Sequence, residues 1–194
     1  MDKLYITHYY YPGTDPWKNI MHLPEQEAFR MAKELAASHP ETTSFYRFAD
    51  FENYYPQRKK ADEFVRNAFI RLGGNPKLQN PFAFVLGDSE YLRKWFDSSD
   101  KVVLDLDDIP DDRISFTLGD SCAMMIQGLE PTVLTKQMLL EGIEECGSVE
   151  TFLAKSLGKY AYAEVQVWDR IVVSRGKESE VHLAVGKENK SGRI

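Results

Sequence analysis

The stretch PFAFVLGDSEYLRKWFDSSDKVVLDLDDIPDDRISFTLGDSCAMMI, residues 81–126, decides the fold class because it contains three short runs typical of β-strands. Residues 82–86 and 102–106 are largely apolar, and residues 114–118 alternate apolar and hydroxyl side chains. Short runs of this kind, bounded by Gly or Pro, indicate strands. The first and third runs are each followed by Gly-Asp-Ser, so polar groups are expected at strand ends, where sites are often built.

Further strands are predicted at 4–6 and 162–168, and amphipathic helices at about 25–38 and 58–72. The strands do not alternate regularly with the helices. The pattern therefore predicts an α+β domain with a twisted mixed or antiparallel sheet on which the helices pack.

Length and composition predict one domain. The chain has 194 residues, of which 43% are hydrophobic and 28% charged, as in an ordinary globular protein. We assign residues 1–174 to a single domain and residues 175–194, which are polar, to a C-terminal tail or edge strand.

Charge and hydropathy argue against two classes of partner. A net charge of −6 disfavours non-specific binding to nucleic acid, and no apolar run reaches the roughly 18 residues of a membrane span. The N-terminal sequence MDKLYITHYYYPG lacks the apolar core of a secretory signal, so a cytoplasmic location is expected, with Cys122 and Cys146 as reduced thiols.

Two segments before the central stretch carry aromatic and apolar residues with different periodicity. Residues 45–55, rich in aromatics without a clean period, are predicted to form a partly extended lid or wall. In the following helix, apolar residues at helical spacing are expected to face the core. They are Phe64, Val65, Ala68, Phe69 and Leu72.

Several patterns of reactive residues have a structural alternative. Gly119-Asp120-Ser121 resembles the nucleophile block of Gly-Asp-Ser lipases, but turn chemistry, in which Asp120 and Ser121 bind nearby amides, is favoured. The four histidines lack ligand spacing, so no metal site is predicted. Cys122 is expected to be a buried structural thiol.

The last predicted strand carries an unusual carboxylate. Tyr162, Glu164, Gln166 and Trp168 alternate with Ala163, Val165 and Val167. A carboxylate on a covered strand face needs partners, because burying an unpaired charge is costly. His8, Tyr9 and Arg47 are the candidate partners.

Two segments resemble known families. ISFTLGDSCA (114–123) resembles the Phe-Thr-x-Gly-Asn/Asp segment, and YAEVQV (162–167) the Ala-Glu strand, of DNA-targeting ADP-ribosyltransferase toxins. Residues 4–170 also resemble a small group of bacterial proteins of unknown activity that share Thr-His-Tyr, Tyr-Tyr-Pro-x-Arg and Ser-Phe-Thr-x-Gly-Asp-Ser blocks. The first resemblance implies an ADP-ribosyltransferase-like fold and NAD as the cofactor.

The resemblance also implies roles. His8 would hold the nicotinamide ribose, Tyr9 or an aromatic from 45–55 would stack on nicotinamide, and Glu164 would stabilise the oxocarbenium-like transition state. The remaining candidate binding residues are Arg47, Tyr54, Tyr55, Arg58, Ser115 and Thr117. The sequence departs from the toxins because Glu164 precedes Gln166 instead of following a Glu or Gln, and because an acidic surface does not suit DNA.

A non-enzymatic protein is the alternative. In that case the aromatics at 45–55 line a groove for a small molecule or a partner, and Tyr54-Tyr55-Pro56-x-Arg58 supplies stacking faces and a guanidinium for phosphate or carboxylate. The enzyme hypothesis predicts that His8, Arg47 and Glu164 converge on one aromatic-lined cleft near Ser115 and Thr117.

Overall fold

A six-stranded antiparallel sheet forms the centre of the protein in the computed structural model, which describes residues 3–97 and 100–170. The strands are β1 (Tyr5–Tyr10), β2 (Phe82–Leu86), β3 (Asp100–Asp105), β4 (Ile114–Thr117), β5 (Val133–Thr135) and β6 (Glu164–Val167). Their order across the sheet is β3-β1-β2-β6-β4-β5. The prediction of a single α+β domain with an antiparallel sheet and packed helices is confirmed.

Six α-helices accompany the sheet among the described residues. They are α1 (Glu25–Ser38), α2 (Phe51–Arg71), α3 (Glu90–Trp95), α4 (Ser121–Ile126), α5 (Lys136–Cys146) and α6 (Val149–Ser156). The helix predicted at 25–38 is confirmed. Thr135 and Ser148 cap α5 and α6, because each side-chain oxygen accepts a hydrogen bond from a backbone amide in the first helical turn.

The two faces of the sheet have different chemistry. One face is apolar and packs against α5 and α6 through residues such as Phe116, Val165 and Ile143. The other face is covered by α2 and α4, and it carries polar side chains at the centre of the sheet. Because paired residues of an antiparallel sheet point to the same face, the register puts Thr117, Glu164 and Val85 in one row on this polar face.

Helix α2 begins earlier than predicted. Residues 43–50 form a 3-10 segment that leads into the first turns of α2, so the prediction of a partly extended wall at 45–55 is wrong. Pro56 lies in the second turn of α2, where its missing N–H removes one backbone hydrogen bond. The wall of aromatics is therefore helical, and this fixes Arg47 and Tyr54 on regular backbone.

The interior face of α2 is mostly as predicted. Phe69 is fully buried, Val65 is nearly so, and Phe64 and Ala68 pack beside them. Leu72 is 44% exposed, because the helix ends at Arg71 and the chain turns away. The prediction for Leu72 is wrong.

The observed strands differ from the predicted ones in two further ways. Strand β1 extends to Tyr10 rather than ending at residue 6, and the three-residue strand β5 was not predicted.

Within the part of the chain that the structure describes, no helix combines the length and apolarity of a membrane span. The predicted tail at 175–194 lies outside the described residues.

Candidate functional site

Strand β6 is the centre of the candidate site. All four of its residues are buried, because α5 and α6 cover Val165 and Val167 while α2 and α4 cover Glu164 and Gln166. The alternation seen in the sequence thus separates an apolar interior face from a polar interior face. Glu164 is only 4% exposed and requires internal partners.

Ser121, the first residue of α4, binds Glu164 with two donors. The backbone N–H of Ser121 donates to Oε2 at 2.8 Å, and the Ser121 hydroxyl donates to the same oxygen at 2.6 Å. The Thr117 hydroxyl lies 3.4 Å from the same oxygen but donates its proton to the carbonyl of Gly119. The two donors of Ser121 offset part of the loss of hydration that burial imposes on the carboxylate.

Arg58 of α2 binds the other oxygen of Glu164. Its Nη1 lies 3.3 Å from Glu164 Oε1, and its Nη2 lies 2.8 Å from Asp62 Oδ1. Although burial disfavours the charged guanidinium, the two carboxylates raise the pKa of Arg58 well above its ordinary value. Burial raises the pKa of Asp62, against the opposing effects of Arg58 and of the amide of Asn80. One cation is therefore shared by two carboxylates inside the protein.

Ser115 and Thr117 extend this polar network along the sheet. Ser115 accepts from the indole N–H of Trp168 at 2.9 Å and donates to the side-chain carbonyl of Gln166 at 2.9 Å. The amide of Gln166 donates to Thr117 at 3.0 Å, and Thr117 donates to the carbonyl of Gly119. Both hydroxyl residues, which were predicted to bind a cofactor, are fully buried and do not line the cavity described below.

The two Gly-Asp-Ser blocks form helix caps. Ser89 caps α3 by accepting from the amide of Leu92, and Asp120 caps α4 by accepting from the amide of Ala123. The Ser121 hydroxyl donates to Glu164 instead of to a histidine. The blocks therefore carry the turn chemistry favoured by the sequence.

His8 contacts the opposite side of the sheet from Glu164. Its ring packs 5.2 Å from Phe84 and 6.1 Å from Trp17, which belong to the apolar core under α5 and α6. Its Nδ1 lies 2.7 Å from the carbonyl oxygen of Ala83, and its Nε2 lies 3.0 Å from that of Pro16. Burial lowers the pKa of His8, although its contacts with the two carbonyl oxygens oppose this effect. Through these contacts the ring links β2 to the loop after β1.

A cavity of about 480 Å³ opens beside Glu164. Six of the nine residues predicted for the site line it: His8, Tyr9, Arg47, Tyr54, Arg58 and Glu164. Tyr55 does not, because it is buried between α1 and α2. The ring of His8 nevertheless packs on the opposite face of the sheet, so the structure does not bring it together with the Glu164 carboxylate as the convergence prediction required. A single cavity thus brings together residues from β1, from the segment 43–50, from α2 and from β6.

Sequence reasoning missed part of the aromatic lining. Tyr91 and Trp95 of α3 contact each other at 5.5 Å between ring centroids, and Tyr91 stacks on Tyr162 at 6.2 Å. Tyr46 lies 5.9 Å from Trp95. The spacing of four residues between Tyr91 and Trp95 was the available signal, since residues four apart share one face of a helix.

Arg47 lines the cavity and makes few hydrogen bonds within the described residues. Its guanidinium carbon lies 5.4–5.8 Å from the ring centroids of Tyr46, Tyr54 and Trp95. Its Nε donates to the hydroxyl of Tyr46 at 3.1 Å, whereas Nη1 is 4.0 Å from Asp120. Burial opposes the charged form, but Tyr46 and Asp120 outweigh it and raise the pKa of Arg47.

Two further groups near the cavity are held in their neutral forms. Burial raises the pKa of Tyr54 to about 12 and that of Cys122 to about 11. Cys122 is buried and unpaired with Cys146, in agreement with the predicted structural thiol. Neither group supplies a nucleophile at neutral pH.

The lining favours an anionic or aromatic ligand over a metal ion. Among residues 3–97 and 100–170, no three His, Cys, Asp or Glu side chains are grouped as metal ligands. Arg47 and Lys159 provide cationic groups, and the tyrosines and Trp95 provide ring faces.

No family model, curated protein or solved structure matches the chain.

Proposed function

We propose that the protein binds a small organic anion in the cavity beside β6. Arg47 would hold the anionic group, and the surrounding aromatic side chains would contact the apolar body of the ligand. A pocket of this size with a few polar groups among aromatic walls is typical of small-molecule sites.

The observation that carries this proposal is the small number of hydrogen bonds that the Arg47 guanidinium makes within the described residues. A guanidinium has five N–H donors, and within the described residues only Nε of Arg47 makes a short hydrogen bond. Arg58 is different, because Asp62 and Glu164 already bind it. Arg47 therefore keeps the geometry for two-point contact with a phosphate or carboxylate.

Ser44 supports the same location. Its hydroxyl oxygen is buried and has no hydrogen-bond partner in residues 3–97 and 100–170. Ser44 lines the cavity three residues before Arg47. A bound anion would satisfy both groups, and a buried polar group without a partner is otherwise costly.

The experiment is calorimetric titration with phenyl phosphate. Wild type should bind, and Arg47→Gln should weaken binding about 10- to 100-fold, the range of one lost charged hydrogen-bonding group. Arg71→Gln is the matched control, because Arg71 is exposed at the end of α2. Equal affinities for the Arg47 and Arg71 variants would contradict the proposal.

An NAD-binding protein of ADP-ribosyltransferase type is the second candidate. The position of Glu164 in the lining favours it, since a carboxylate beside a ribose stabilises positive charge developing at C1. In that reaction Glu164 would exchange its contacts with Ser121 for contacts with substrate. The assay is nicotinamide release from NAD by wild type and by Glu164→Gln. Turnover that is lost in the variant would support this candidate, and absence of turnover would favour the binding protein.

A further inference from the structure

A second and larger cavity adjoins the first. Its volume is about 780 Å³, and residues such as Phe45, Phe48, Tyr54 and Arg58 line both cavities. The second cavity, which we call the α1 compartment, extends towards Met31 of α1 and the loop after β1. The two cavities are therefore neighbours, and Phe48 and Tyr54 belong to the boundary that a ligand held by Arg47 would pass to reach the additional space.

The charges of the α1 compartment disfavour an anion. Its lining includes three acidic residues, Asp15, Glu34 and Asp62, and two basic residues, Lys18 and Arg58. Arg58 is already bound by two carboxylates. A phosphate or carboxylate is therefore favoured beside Arg47 rather than in the α1 compartment.

The remaining surface of the α1 compartment is largely apolar. Met21, Met31 and Leu35 contribute flexible aliphatic side chains, and Phe82 contributes an aromatic face. Methionine adapts to ligands of varied shape because its side chain is unbranched and polarisable. Such a compartment accommodates an apolar chain without requiring hydrogen bonds.

We infer that the ligand is an amphipathic anion, with its charged head at Arg47 and an extended apolar tail in the α1 compartment. The inference rests on the proposed function, because it names the class of anion that the same site takes. It distinguishes a tailed anion, such as an alkyl phosphate, from a compact aromatic anion that would fill only the cavity beside β6.

The test is the dependence of affinity on chain length. Calorimetric dissociation constants are measured for monoalkyl phosphates from ethyl to decyl, each below its micelle concentration. Each methylene removed from water should improve affinity by about two- to fourfold, so the six additional methylenes of octyl phosphate should make it bind at least about 60-fold more tightly than ethyl phosphate. The gain should level off once the compartment is filled.

A pair of variants locates the tail. Met31→Glu puts a carboxylate into the α1 compartment and should reduce the octyl-to-ethyl affinity ratio at least about tenfold, because the tail would desolvate the new charge. Ala37→Glu makes the same charge change at an exposed position of α1 and should leave the ratio unchanged. Met31→Trp, which fills space without adding charge, should also reduce the ratio and serves if Met31→Glu does not fold.

The outcomes separate this inference from the proposed function. A flat affinity from ethyl to decyl phosphate, or equal ratios in the Met31 and Ala37 variants, would overturn the tail site while leaving anion binding at Arg47 intact. Failure of every alkyl phosphate and of phenyl phosphate to bind would overturn both.

Discussion

The guanidinium of Arg58 lies 3.3 Å from the carboxylate of Glu164 and joins α2 to the central strand of the sheet. The same guanidinium binds Asp62 one helical turn further along α2. Residues 106 positions apart in sequence thus form the polar core that the cavity borders. This contact makes Glu164 part of the architecture of the site as well as of its lining.

The first prediction concerns the balance of charge in this core. Arg58→Gln should lower the free energy of unfolding by about 3 to 5 kcal/mol, because it leaves two carboxylates buried together without a cation. Glu164→Gln should cost less, since Arg58 and Asp62 then remain as a balanced pair. Urea unfolding at pH 7 measures both, and a larger loss for Glu164→Gln would contradict the shared-cation account.

The second prediction concerns the interior face of α2. Phe69→Ala should cost about 3 to 5 kcal/mol, because Phe69 is fully buried beside Val65 and Trp168. Leu72→Ala is the control on the same segment and should change stability by less than about 0.5 kcal/mol, because Leu72 is exposed. Similar losses for the two variants in denaturant unfolding would show that the helix is turned differently.

The third prediction concerns His8 and pH. Burial lowers the pKa of His8 from its ordinary value of 6.5, so between the two values the unfolded chain binds the proton and the folded protein does not. The free energy of unfolding should therefore fall as pH decreases through this window. His8→Gln should weaken this dependence. An NMR titration midpoint for the His8 ring at or above 6.5 would be inconsistent with this account.

The fourth prediction concerns Cys122. With its pKa raised to about 11 by burial, the thiol should resist alkylation by iodoacetamide at pH 8 in the native protein and react after unfolding. Cys146, which is only partly buried, is the internal control. Mass spectrometry of the two cysteine-containing peptides gives the result, and equal labelling rates in the native state would contradict it.

The fold was predictable wherever local pattern determines structure. The alternation in residues 114–117 and the apolar run 82–86 produced strands, and the period of α1 produced a helix at its predicted bounds. Strand β5 was missed because three residues are too few to show a period. The helical form of residues 45–55 was missed because its aromatics pack against α1 and α3, and such tertiary contacts override local preference.

The site was predictable only in its residue types. The isolated Glu164 on a covered strand correctly indicated a need for partners, but the sequence could not show that Arg58 and Ser121 supply them. Whether these groups reach the Glu164 carboxylate depends on the register of β4 with β6 and on the rotation of α2 about its axis. Sequence periodicity gives the face of each element but not the distance between elements.

The most direct test of the central claim is the difference in affinity between phenyl phosphate and phenol, measured by calorimetry for wild type, Arg47→Gln and Arg71→Gln. If Arg47 holds the anionic group, wild type and Arg71→Gln should prefer phenyl phosphate by the same factor, and Arg47→Gln should reduce that preference about 10- to 100-fold. An unchanged preference in Arg47→Gln would show that the anion binds elsewhere and would contradict the account.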